Sequence, residues 1–207
     1  MIRKVSLIVA AASLLSGCST LAGEGFGSAY YSLIRARPTA VGDRSLVVVP
    51  PREWNKQRPR IFDDIGDVED WTLNGPYLDG MTFVSGLADN RFLIRQSRFE
   101  DRQVPRFRSD MSAPEITAMI ESLYRVRGGA VDVRTLSLQP RTFLGQNGFQ
   151  WDYEHLDSDE LWRKGRVVGA VVNGRLYMIM FDAARSHYYA NALPDFEAVV
   201  GSARLRS

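Results

Sequence analysis

Alternation of apolar and polar positions along the chain predicts a series of strands interrupted by two helical stretches. Residues 45–49 form an apolar strand ended by Pro50-Pro51, and 68–73 a second strand closed by the turn Asn74-Gly75-Pro76. Residues 81–84 and 91–94 read as a strand pair connected through 86–90. The stretch 52–60 is polar apart from Trp54, and 98–110 reads as an exposed loop or edge with Val104 and Phe107 scattered through it. Ser112-Ala113-Pro114-Glu115 fits a capping box. Ile116, Met119, Ile120 and Leu123 then recur at helical spacing, and Gly128-Gly129 ends the helix.

Residues 131–138 suit a strand with one partly wet face, and Asn147-Gly148 predicts a hairpin between 141–145 and 149–155. In the second arm Phe149, Trp151, Tyr153 and His155 share one face, while Gln150, Asp152 and Glu154 share the other, as in a half-buried strand. Asn173-Gly174 predicts another hairpin, joining 166–172 to 175–181. Leu176, Met178 and Met180 point one way and Tyr177, Ile179 and Phe181 the other, so this strand should be central and covered on both sides. Beyond Ala183 a helix runs through Tyr188 and Tyr189 to Leu193, Pro194 interrupts it, and a last helical segment carries Phe196, Val199 and Val200. The expected fold class is α+β, an antiparallel sheet of about seven or eight strands with helices packed on it.

The N-terminus has a different pattern. Arg3 and Lys4 precede a run from Val5 to Leu15 that is apolar apart from Ser6 and Ser13, and the small residues Ser16, Gly17 and Cys18 follow. An apolar run of about 11 residues reaches only about 16 Å as a helix, too short for a hydrocarbon core of about 30 Å. A basic start, a short apolar run and small residues before a cut are the marks of a secretory signal peptide. Leu15-Ser16-Gly17-Cys18 resembles the lipobox of bacterial lipoprotein precursors. That resemblance implies cleavage before Cys18, acylation of the cysteine, and, with Ser19 rather than Asp following, delivery to the outer membrane. Cys18 is the only cysteine, so no disulfide forms within the chain. One acyl chain binds a bilayer marginally, at about 0.8 kcal/mol per buried CH₂, so two or three on one residue make a lasting anchor.

Removal of residues 1–17 leaves 190 of the 207 residues, with 24 basic side chains against 24 acidic. The mature chain is thus near neutral, and it has no Lys/Arg cluster interleaved with aromatics, which argues against a nucleic-acid partner. Gly23, Gly25 and Gly27, then Pro38 and Gly42, mark residues 18–42 as a lipidated N-terminus and flexible tether with a short helical turn within 28–35. Residues 43–207 are then a single α+β domain.

The run Leu176-Tyr177-Met178-Ile179-Met180-Phe181, with Ala183, Tyr188-Tyr189, Phe196 and Ser202 after it, resembles the closing strand and helix of PsbP-like α/β/α sandwich domains. It covers roughly the last 45 residues, and the earlier strands match only in order. The resemblance implies a non-catalytic binding or assembly role, on fold analogy alone.

Candidate chemistry is sparse. His155 lies near Asp152, Glu154, Asp157 and Asp159, without the ligand spacing of a zinc site, and reads as part of an acidic surface turn. His187 follows Asp182 and Ser186, which assembles a Ser/His/Asp set on paper, but no GxSxG elbow accompanies it. Asp63-Asp64, Asp67, Glu69 and Asp70 are the densest acidic run, without the spacing of a calcium loop. Asp152, Glu154, Asp157 and Glu160 supply carboxylates for a glycosidase pair whose separation the sequence does not give. Neither Gly23–Gly27 nor Gly128-Gly129 has phosphate-loop spacing. The sequence reading is therefore a lipid-anchored, periplasm-facing protein of the outer membrane, with no catalytic, cofactor-binding or metal residues assigned. Its partners are the membrane through Cys18 and an envelope protein or small apolar ligand. The alternative is a periplasmic hydrolase using His155 and nearby carboxylates. The anchor makes a direct prediction: Cys18→Ala should release the chain from membranes and abolish incorporation of labelled palmitate. Unchanged partitioning and labelling would refute it.

Overall fold

A strand that is apolar on both faces must sit where both faces can be covered, and residues 175–184 take that place. The computed structural model describes residues 30–58, 65–95, 104–126 and 128–206. The first half runs β1 (Tyr31–Ile34), β2 (Thr39–Val41), β3 (Leu46–Val48), β4 (Trp54–Gln57), β5 (Val68–Thr72), β6 (Asp79–Leu87) and α1 (Ala113–Val126). The second half runs β7 (Asp132–Phe143), β8 (Gln146–Leu156), β9 (Trp162–Val172), β10 (Arg175–Ala184), α2 (Tyr188–Ser202) and β11 (Arg204–Leu205). Eight strands form one antiparallel sheet in the order β1-β4-β5-β6-β10-β9-β8-β7, and β11-β3-β2 form a second, smaller sheet. The fold is the expected α+β antiparallel sheet with helices packed on it.

β10 lies between β6 and β9. Its Leu176, Met178 and Met180 pack with Ile116, Met119 and Ile120 of α1 and with Phe149, Trp151 and Tyr153 of β8. Its Tyr177, Ile179 and Phe181 pack on the other face with Tyr189, Phe196 and Val199 of α2 and with Val41, Leu46 and Val48 of the small sheet. At the start of α1 only half of the capping box forms as expected: the Glu115 carboxylate accepts from the Ser112 N–H at 2.7 Å, but the Ser112 hydroxyl donates to that same carboxylate (2.7 Å) rather than accepting from the Glu115 N–H. The Asn173-Gly174 turn joins β9 to β10, both residues having positive φ, at 50° and 73°.

Several local expectations are corrected. The segment 30–42, expected as tether with a helical turn, holds strands β1 and β2, and Ile34 and Val41 join the core. Residues 1–29 lie outside the described residues. Strand β4 occupies part of the polar stretch 52–60, with Trp54 fully buried. Residues 91–94 do not pair with β6, because both edges of β6 are taken by β5 and β10. Backbone bonds instead join Asn90 and Arg91 to Phe107 (both 2.8 Å), and Leu93, Val104 and Phe107 are buried. α2 is one continuous helix through Pro194 rather than two. A proline inside a helix costs about 3 kcal/mol, and burial of Phe196, Val199 and Val200 beyond it, at roughly 1.5–3 kcal/mol each, outweighs that.

The first hairpin turns at Leu144-Gly145 (φ 51° and 74°), pairing Phe143 with Gln146, and Asn147-Gly148 lie inside β8. Gly148 serves a different need from turning. A Cβ built there would lie 2.2 Å from the Gly169 carbonyl oxygen and 3.0 Å from Ala170 Cβ. The observed register also lets the Trp151 indole donate to Thr135 (3.0 Å) and the Ser137 hydroxyl donate to Asp152 (2.9 Å). Gly148→Ala should therefore cost about 1–3 kcal/mol, the usual penalty of overpacking. Urea unfolding would read this as a lower midpoint at unchanged slope, and an unaltered midpoint would contradict the close approach.

Candidate functional site

In an apolar strand a carboxylate needs a partner, and Asp182 of β10 carries one on the face of Met178 and Met180. The antiparallel register sets Tyr153 opposite Gly165 and Gly165 opposite Asp182. Gly165 has no side chain to block the way: a Cβ there would meet the Tyr153 ring at 2.1 Å. His155 of β8 lies beside Arg163 of β9, and both reach the same carboxylate.

His155 Nε2 is 2.7 Å from Asp182 Oδ2, and Arg163 Nε donates to Asp182 Oδ1. Arg163 also donates to the Tyr77 carbonyl at 2.6 Å, tying the turn before β6 to the cluster. Above it the Tyr124 and Tyr153 hydroxyls are 2.5 Å apart, and the Tyr124 ring lies 4.7 Å from the imidazole. His155 is only 4% exposed, and the Asp182 side chain 15%. Since Asp182 is ionised toward Arg163, Nε2 of His155 is the donor, and Nδ1 has no partner among the described residues. Burial pushes the Asp182 carboxyl up, but the bonds from His155 and the charge of Arg163 outweigh it and hold the group below its ordinary 3.8. Burial drives both phenols well above the ordinary range, so neither offers a phenolate.

The structure thus corrects the acidic surface turn: His155 is buried, and its partner is Asp182, which lies 27 residues on. Asp182 does not serve His187, whose ring is instead 2.8 Å from the Asn191 amide. The four proposed glycosidase acids disperse. Asp152 pairs with Arg166 (2.5 Å), within a network that also binds Glu197 and Arg141. Burial raises the Asp152 carboxyl, but bonds from Arg166, Gln150 and Ser137 prevail and hold it low. Glu154 pairs with Arg185 at 3.3 Å, Asp157 accepts from the Leu161 N–H at 2.9 Å, and Glu160 sits in the turn at φ 61°. In the acidic run, Asp63 and Asp64 lie outside the described residues, Glu69 binds Lys56 and Trp71, and Asp70 accepts from Thr82. Among the described residues no three His, Cys, Asp or Glu side chains gather as metal ligands. Cys18 also lies outside the described residues.

No protein-family model matches the chain, and no curated protein matches it in sequence. Among solved structures, cyanobacterial PsbP (CyanoP) from Synechocystis sp. PCC 6803 superposes with a TM-score of 0.54 at 14% identity, over 93% of this chain and 99% of that one. The fold is PsbP-like. A Bacteroides thetaiotaomicron protein (TM-score 0.48, 7% identity, 84% of this chain and 50% of that one) is more distant. So is LpqN of Mycobacterium tuberculosis, whose structure is described as involved in cell envelope biogenesis (TM-score 0.34, 8% identity, 86% and 91%). At those scores neither adds to the description of this chain.

Arg163, Tyr124 and Tyr153 escape a search for catalytic motifs. The available signal is a charged residue two places beyond Met180 in a strand apolar on both faces, which demands a buried cation or donor nearby. What the cluster does chemically is brace: one carboxylate joins β8, β9, β10 and the turn at Tyr77. Asp182→Asn leaves Arg163 buried without its counter-charge and should cost about 3–5 kcal/mol. The Asp182 carboxyl is depressed in the folded state, so its stabilisation is complete above about pH 4 and lost as pH falls through the lower, folded value. Denaturation measured between neutral and acid pH should therefore show a steeper acid-side loss for the wild type than for Asp182→Asn, and parallel curves would argue against this role.

Proposed function

We propose that this chain is a lipoprotein held in the outer membrane by acyl chains on Cys18, its PsbP-like domain facing the periplasm as a non-catalytic binding or envelope-assembly module. The reading rests on the Leu15–Cys18 stretch for the anchor. For the module, the observation that carries it is the closure of the His155 cluster. An imidazole oriented by a carboxylate at 2.7 Å is half of a base-and-nucleophile arrangement, and this is what favours a hydrolase as the second reading. A general base must also reach the proton it removes. With His155 only 4% exposed and its partners bonded to one another, the ring is spent on packing. A PsbP-like fold is compatible with either reading, since fold alone does not assign activity.

Two measurements separate them. With the tagged, lipidated chain as bait in detergent-solubilised envelopes, a defined partner should be retained, or native mass spectrometry should show a bound small molecule. His155→Ala should lower thermal stability without removing any turnover. Hydrolysis of an ester, glycoside or peptide substrate that His155→Ala abolishes, with stability intact and nothing bound, would overturn the proposal in favour of the hydrolase.

A further inference from the structure

Where β2 of the small sheet passes over β4 and β5 of the large one, an open cleft of about 570 Å³ is lined by Arg37, Thr39, Gly42, Arg44, Lys56 and Glu69. Its floor is electrically closed. The Glu69 carboxylate accepts from the Lys56 ammonium (2.7 Å), the Trp71 indole (2.7 Å) and the Gly42 N–H (3.1 Å), so its charge and that of Lys56 cancel. Its rim is not closed. Arg37 and Arg44 are exposed, and neither guanidinium has a hydrogen-bond, ion-pair or ring partner among the described residues. The neighbouring acid Asp43 accepts from the Ser45 N–H at 2.8 Å and does not line the cleft. Among the residues that line the cleft, the charges therefore sum to two positive, from Arg37 and Arg44.

Arg44 is also held in the left-handed region, at φ 74°, by a turn in which its N–H donates to the Val41 carbonyl at 2.9 Å. An ordinary L-residue gives up about 1–2 kcal/mol there, and Asn or Gly would sit at lower cost. A turn that places an arginine in this conformation, with its side chain free at the wall of a basic cleft, stores strain where a ligand would meet it. Two guanidinium forks match phosphate oxygens, each able to bond in bidentate fashion.

We propose that this cleft binds a phosphate group, and that its source is the headgroup of an anionic phospholipid in the membrane that carries the anchor. The assignment to a headgroup rests on the lipoprotein reading. Eleven residues (19–29) separate Cys18 from Tyr30, where the described chain begins, and span at most about 40 Å. Arg37 and Arg44 follow within the next fifteen positions, so the cleft stands on the first described segment after Cys18. Docked there, the domain would be held close to the bilayer by two independent attachments, one covalent and one ionic.

The test uses the full lipidated chain in nanodiscs, with backbone hydrogen exchange across residues 37–44 as the readout. Discs containing phosphatidylglycerol should slow that exchange relative to phosphatidylcholine discs. Arg37→Gln and Arg44→Asn should each weaken the effect about tenfold, the loss of one charge-assisted pairing. Arg44→Asn suits the left-handed turn, so it should leave the melting temperature unchanged or higher, and a lost effect could not be ascribed to unfolding. Inorganic phosphate titrated into phosphatidylcholine discs forms the second arm. Protection by inorganic phosphate but not by phosphatidylglycerol would keep the anion site and overturn its assignment to a headgroup. No protection in either arm, or protection undiminished in both variants, would overturn the site. Palmitate at Cys18 is read separately, so the cleft can fail while the anchor stands.

Discussion

The rest of the molecule follows from the need to cover β10 on both faces. Six consecutive side chains from Leu176 to Phe181 alternate between two cores, and each core requires its own roof. α1 supplies one through Ile116, Met119 and Ile120. α2 and the small sheet supply the other, which is why β2, β3 and α2 meet on the same face although they are far apart in sequence. The continuity of α2 through Pro194 has the same origin, because the second half of the helix is held by what it covers and not by its local propensity.

At the end of β10 the same constraint takes a polar form. Asp182 continues the face of Met178 and Met180, so its carboxylate enters a region where an unpaired charge would be costly. The register of β8 and β9 answers with His155 and Arg163, and Gly165 clears the space for Tyr153. A cluster that resembles catalytic machinery in its residue types thus becomes a cross-brace by virtue of burial. A different electrostatic arrangement occupies the cleft lined by residues of the small sheet and of β4 and β5. There, Glu69 neutralises Lys56, and the Arg37 and Arg44 guanidinium groups have no ion-pair partner among the described residues.

Much of this was legible in the residues. The double-sided apolar pattern of 175–181 located the central strand, the stripe from Ile116 to Leu123 located α1, and Asn173-Gly174 located the tight turn before β10. The polar stretch at 52–60 hid β4, because a strand with one buried tryptophan followed by three half-buried polar residues shows little alternation. The His155 cluster was hidden for a different reason. Its members come from three strands and a helix, and the acids adjacent to His155 in sequence are not its partner, which lies across the sheet at Asp182.

The same dipeptide occurs twice with opposite outcomes. Asn-Gly at 173–174 is a type I′ turn. At 147–148 it lies inside β8, where a Cβ on residue 148 would lie 2.2 Å from the Gly169 carbonyl oxygen, so the glycine serves close packing and not a turn. Local conformational preference was equal at the two sites, and packing against a neighbouring strand chose between them. By itself the sequence determined the elements whose own side-chain pattern is strong: the central strand, α1 and the fold class. Tertiary structure alone decided the register, the place of the first hairpin turn, the partner of Asp182 and the gathering of Arg37, Arg44, Lys56 and Glu69 at one cleft. Each of those depends on the space and charge offered by residues distant in the chain, which no local pattern records.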